Sequence, residues 1–149
     1  MRPPVEVTVY NRQRKHPLDT AKLGALACLA VGLCLPKRGT GSAVLVNLTE
    51  VEVFLVSDRR MATVHRQFMG IPGTTDVITF EHGEILISAA TAARCAVDEG
   101  ETTVREVCRY IVHGLLHLNG HLDKAPAEAA RMWKAQEEVL EAIWPQQRP

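Results

Sequence analysis

Residues 76–88 read Asp76-Val77-Ile78-Thr79-Phe80-Glu81-His82-Gly83-Glu84-Ile85-Leu86-Ile87-Ser88. Two short apolar runs, Asp76 to Phe80 and Glu84 to Ser88, flank three residues that include a glycine. The spacing predicts two strands joined by a tight connection. Upstream, Val51 to Val56 predicts another strand, with Val44 to Leu48 as a candidate extension of it. Asp58 is placed to cap a short helix through about Met69, which Gly70 and Pro72 stop. Val5 to Tyr10 alternates and is β-branched, so it reads as the first strand. Between these strands Asp19 is a plausible N-cap, and Leu18 and Leu23 stand where a hydrophobic staple would place them. The helix they open runs to Leu35, where Pro36, Gly39 and Gly41 end it.

Downstream of the paired runs the pattern turns helical. Ala89 to Val97 predicts one helix, broken at Gly100. A long apolar helix follows from about Thr102 to Asn119, ended by Gly120. Pro126 opens a last amphipathic helix to about Ile143. The order β-α-β-α-β-β-α-α-α defines an α/β chain. The expected architecture is a single domain over residues 1–149, with a small, mostly parallel four-stranded sheet packed by about five helices.

Composition agrees with this class. The 149 residues are 46% hydrophobic and 23% charged, as in ordinary globular proteins. Lys+Arg and Asp+Glu both count 17, and this zero formal charge argues against a protein that coats duplex DNA. Cys28, Cys34, Cys95 and Cys108 form no C-x-x-C pair or disulfide framework, and reduced, buried thiols in a cytoplasmic protein are expected. Arg12, Arg14 and Lys15 before the apolar stretch Leu23 to Leu35 superficially suggest a signal sequence. Asp19 and Lys22 interrupt the approach, and the stretch is too short to span a bilayer, so no membrane association is expected.

The chemistry concentrates in Ile111-Val112-His113-Gly114-Leu115-Leu116-His117-Leu118-Asn119-Gly120-His121-Leu122-Asp123. His113 and His117 lie four residues apart in a helical pattern, on one face and about one turn apart. Two imidazoles at that separation can grip one zinc ion. About 0.2 such pairs arise by chance in a chain with this histidine content, so the pair alone is a weak signal. Gly120 and a ligand-type residue just beyond it sharpen the signal. If the helix ran straight on, His121 would lie about 12 Å along the axis from His113, too far for one ion. Gly120 is placed to break the helix, and three residues then give a reach of roughly 10 Å. Asp123 is the preferred third ligand, with His121 the alternative or a supporting group.

This pattern resembles the YbeY family of bacterial endoribonucleases, whose hallmark runs His-Gly-x-Leu-His-Leu-x-Gly-x-x-His. His113, Gly114, Leu116, His117, Leu118 and Gly120 match it. Thr75 to Phe80 resembles the family's Pro-Thr-Asp-Val-Leu-Ser-Phe strand, and Gly83 to Ser88 its Gly-Asp-Ile-x-Ile-Ser. The resemblance covers roughly residues 50 to 143 and, weakly, the N-terminal third. It implies a compact α/β fold, one zinc ion on His113, His117 and position 123, and cleavage of single-stranded RNA in ribosomal RNA maturation. Ribosomal RNA and the ribosomal subunit are the implied partners, and ribosome quality control the implied setting. The chain departs from the family by carrying Asp123 for the third histidine, Thr74 for a proline and Met69 where many members have arginine.

Arg66, Arg94, Arg105 and Arg109 are the candidate phosphate contacts. Two rival readings remain. In zinc peptidases of the His-Glu-x-x-His type the residue after the first histidine is the general base, whereas Gly114 takes no proton. A non-catalytic ribosome-associated binding protein is the other. Smaller readings place His82 in a turn, Asp76 and Glu84 on surface or capping duty, and Trp133 and Trp144 in packing.

Overall fold

The computed structural model describes residues 5–145. Four strands form one sheet: β1 (Glu6–Asn11), β2 (Glu50–Val56), β3 (Val77–Phe80) and β4 (Glu84–Ser88). Their spatial order is β1-β2-β4-β3. β1 pairs with β2 and β2 with β4 in parallel, while β3 folds back antiparallel on β4 through the Glu81–Gly83 turn. The mostly parallel sheet expected from sequence is therefore present. Around it pack α1 (Thr20–Cys34), α2 (Asp58–Met69), α3 (Ala89–Glu99), α4 (Thr103–Leu118) and α5 (Pro126–Ile143).

Alternation along the strands divides the core between the two sheet faces. Val7, Val9, Val51, Val53, Leu55, Ile85 and Ile87 point to one face, against α1, α4 and α5. Val56, Ile78 and Leu86 point to the other, where Met61 and Val64 of α2 close a smaller cluster. α4 lies in the larger core, and most of its side chains are buried. Gly114 permits the close approach of α4 to the sheet, because a Cβ there would stand 2.7 Å from Ile85 Cδ1.

Several local expectations are corrected. Ser57, not Asp58, caps α2: its Oγ accepts from the Arg60 amide. Val44 to Leu48 does not extend β2 but holds a 3₁₀ turn at Leu45–Asn47. The backbone there is drawn to the end of α4, where the Val44 amide donates to the Leu118 carbonyl at 2.8 Å and Ala43 bridges Asn119. The thiols are free, with Cys34 and Cys108 buried, Cys95 half-buried and Cys28 exposed. Burial pushes the Cys34 and Cys108 thiols up to about 12. Trp144 packs at the core margin, but Trp133 is 58% exposed and is not a packing residue. No helix among the described residues is long and apolar enough to cross a membrane.

Candidate metal centre

α4 supplies two of the groups that converge. Thr102 caps its start by accepting from the Arg105 amide, and His113 and His117 fall on the same face near its end. Beyond Leu118 the chain reverses. Gly120 adopts φ 91°, a left-handed conformation that favours glycine, and the His121 amide donates back to the Leu116 carbonyl at 2.9 Å. The reversal returns Asp123 to the histidines. Its Oδ2 lies 3.3 Å from His117 Nε2 and 3.9 Å from His113 Nε2, and the two Nε2 atoms are 3.1 Å apart. One ligand atom from each of the three residues falls within 4.8 Å of the others.

The surroundings decide what this cluster suits. His113 Nδ1 faces Gln136 Oε1 at 2.8 Å, and His117 Nδ1 faces the His121 carbonyl at 2.9 Å. Both oxygens are acceptors, so each Nδ1 carries its proton and each Nε2 presents a lone pair. Two lone pairs and a carboxylate aimed at one another repel unless a cation lies between them. The donor set fits a metal such as zinc, and each ligand is oriented by a hydrogen bond behind it. Burial, followed by the neighbouring His117, lowers the His113 pKa and favours the neutral, ligating form.

His121 does not join the group. Its imidazole is buried, with Nε2 2.6 Å from the Lys37 carbonyl, and it serves the site through its backbone oxygen instead. Gln136 was not anticipated. It is the one polar residue on the buried stripe Met132, Ala135, Gln136, Val139 and Leu140 of α5, and that interruption was the available signal.

The four arginines fare differently. Arg105 and Arg109 are buried and held by carboxylates: Arg105 by Glu101 and Glu141, Arg109 by Glu101, Glu106 and Glu137. Burial opposes the Arg109 charge, but the bonds from Glu101 and Glu137 prevail and raise its pKa. These two guanidinium groups are bound within the protein and do not stand free for phosphate, which corrects the sequence expectation. Arg94 is exposed, but Nη1 is tied to Asp58 at 2.8 Å. Arg66 is exposed near the end of α2 and is the one of the four without an ion pair among the described residues. His82 is exposed on its turn, 3.0 Å from Glu84 and stacked on Phe80.

Fold and site together define an α/β protein with a three-donor centre, the donor count of metal sites that leave a position open for chemistry. Gly114 bears no base, so the general base of the His-Glu-x-x-His peptidases is missing here, and a Cβ at this position would stand against the Ile85 side chain. The sequence profile of Endoribonuclease YbeY matches residues 8–144. An Endoribonuclease YbeY from Geobacter sulfurreducens is 30% identical over 91% of this chain and 94% of its own length. That from Frankia alni is 31% identical over 93% and 82%. One from Anaeromyxobacter sp. (strain Fw109-5) is 37% identical over 62% of this chain, a match spanning 54% of its length. The solution structure of TM1509 from Thermotoga maritima superposes with a TM-score of 0.63 at 23% identity, covering 93% of this chain and 89% of that one, and so shares the fold. The chain belongs to the YbeY endoribonuclease family.

Proposed function

We propose that this chain is a zinc-dependent endoribonuclease that cleaves single-stranded RNA, with ribosomal RNA of the small or large subunit as its substrate class and rRNA maturation and ribosome quality control as its setting. The cytoplasm is the compartment in which that work is done. The observation that carries the reading is the convergence of His113 Nε2, His117 Nε2 and an Asp123 oxygen, with both Nδ1 atoms already occupied.

A zinc ion held by these groups supplies Lewis-acid chemistry, lowering the pKa of a water molecule and drawing charge from a phosphoryl oxygen. The chain's own part is orientation. Gln136 and the His121 carbonyl hold the two imidazoles in one tautomer and one rotation, so that the donors are arranged before substrate arrives. Asp123, on the returning chain, contributes the negative charge of the donor set. Arg66 is the proposed phosphate contact among the four arginines considered, because its guanidinium forms no ion pair among the described residues.

The test is cleavage of a labelled single-stranded RNA by metal-loaded protein, with and without chelator, beside the same sequence as duplex. Chelator-sensitive cleavage confined to the single strand is expected, since an A-form duplex hides its bases and constrains its backbone. Cleavage that persists in chelator and in His113→Ala would refute the assignment.

A further inference from the structure

Charge is laid out unevenly around the metal centre. On the His113 side a cleft of about 770 Å³ runs toward Arg105, and its lining holds six carboxylates against two guanidinium groups. Arg105 and Arg109 are shared among Glu101, Glu106, Glu137 and Glu141, and Asp76 and Glu99 add two further carboxylates, so the wall carries a net negative charge. A polyanion placed in this arm meets like charge without a free cation to offset it.

The His117 side differs. A trough of about 330 Å³ there is lined by Met69, Thr79, His117 and Leu122, with Glu81 as its one carboxylate, against six on the His113 side. It shares His121 and Leu122 with a second trough of about 330 Å³, whose lining includes Arg38 and Arg131, with Glu128 as its carboxylate. Both arginines are exposed, and neither forms an ion pair among the described residues. Thr79 Oγ1, in the first trough, is buried without a hydrogen-bond partner among the described residues.

The position of Arg38 is built rather than incidental. The Gly39 amide donates to the Asn119 carbonyl at 3.0 Å, and the Gly41 amide to the Gly120 carbonyl at 2.7 Å. His121 Nε2 reaches the Lys37 carbonyl from the opposite direction. A Cβ at Gly39 would collide with the Gly120 carbonyl, so the loop lies directly on the backbone that turns Asp123 toward the histidines. The turn that assembles the metal group therefore also fixes the loop that carries Arg38.

We propose that Arg38 and Arg131 form the phosphate-binding rim for the RNA strand. The strand crosses the metal centre from the His117 side over Leu122, while the acid-walled arm beside His113 carries none of its backbone. This rests on the endoribonuclease reading and adds to it the path of the substrate.

The test is binding of a short single-stranded RNA to the metal-loaded full chain over a series of salt concentrations, with cleavage measured in parallel. Arg38→Ala and Arg131→Ala should each weaken binding about threefold to tenfold at moderate salt and reduce the log–log salt slope by about 0.7. Arg14→Ala, on the loop after the opposite edge strand, should leave the slope unaltered. Glu99→Lys, which adds a cation to the acidic arm, should not steepen it. Arginine variants with wild-type slopes, or a steeper slope in Glu99→Lys, would overturn the proposed path. Wild-type cleavage alongside that outcome leaves the nuclease reading standing. Slopes that respond as expected without cleavage leave the rim standing and remove the nuclease. A wild-type chain that binds no single-stranded RNA removes both.

Discussion

At the scale of residues, the proposed metal centre would depend on what lies behind its candidate ligands as much as on those ligands themselves. Gln136 holds His113 Nδ1 at 2.8 Å, so Gln136→Leu should lower metal affinity about 10–100-fold while leaving the fold intact. His117→Ala should abolish stoichiometric zinc binding, and Asp123→Ala should weaken it sharply. Asp123→His should keep the metal. His121→Ala retains the carbonyl that orients His117 and should lose far less zinc than Asp123→Ala. Metal analysis of the purified variants checks the series, and equal loss in His121→Ala and Asp123→Ala would contradict it. Gly114 is constrained differently, by space. Its substitution to Ala places a methyl group against Ile85 and should cost about 1–3 kcal/mol in denaturant unfolding. Ile85→Val removes the nearest atom and should recover part of that loss. A double variant no more stable than the sum of the single changes would argue against the contact.

At the scale of elements, Asp58 ties α2 to the start of α3. Its carboxylate accepts from the Ser88 hydroxyl, from Thr91 Oγ1 at 3.0 Å and Thr74 Oγ1 at 3.2 Å, and from Arg94 Nη1 at 2.8 Å. Burial alone would raise its pKa. The bonds from Ser88, Arg94 and Thr91 outweigh that and bring it from 3.8 down to about 2. A carboxylate with a depressed folded-state pKa stabilises the fold above its ordinary range and loses that contribution as pH falls through the folded value. Asp58→Asn should therefore cost about 1–3 kcal/mol near neutrality. The gap in thermal midpoint between wild type and variant should close as pH drops from about 4 to about 2. A gap that stays constant over that interval would show that ionised Asp58 contributes nothing to stability.

At the scale of the whole molecule, α4 and α5 and the junction between α3 and α4 are joined by one buried charge network. Arg109 sits at its centre, bonded to Glu101, Glu106 and Glu137. Removing it takes the guanidinium from Glu106 and Glu137 and leaves Glu101 to Arg105 alone. Arg109→Met should destabilise the chain by about 3–5 kcal/mol, far more than Arg66→Met on the exposed end of α2. Equal unfolding midpoints for these two variants would disprove the structural role given to Arg109. The network also explains why the cleft beside His113 is acidic: its cations are spent on holding helices together.

Periodicity and punctuation in the chain determined the elements. Alternating Val5 to Tyr10, the paired runs at 76–88 and the cap at Asp19 each act over a few residues, so their readings needed no knowledge of distant neighbours. The His113–His117 spacing and the break at Gly120 were legible for the same reason, and with them the meeting of both histidines with Asp123. Tertiary structure alone decided the rest. Whether Arg109 faces RNA or Glu101, Glu106 and Glu137 depends on how α4 packs on α5, and its arginine character is identical in either setting. The fate of Val44 to Leu48 turned on the bare carbonyls at the end of α4, and the supporting role of Gln136 on the rotation of α5. Residues distant in the chain meet only after the core has closed. Partners chosen by burial and packing leave no local pattern to read.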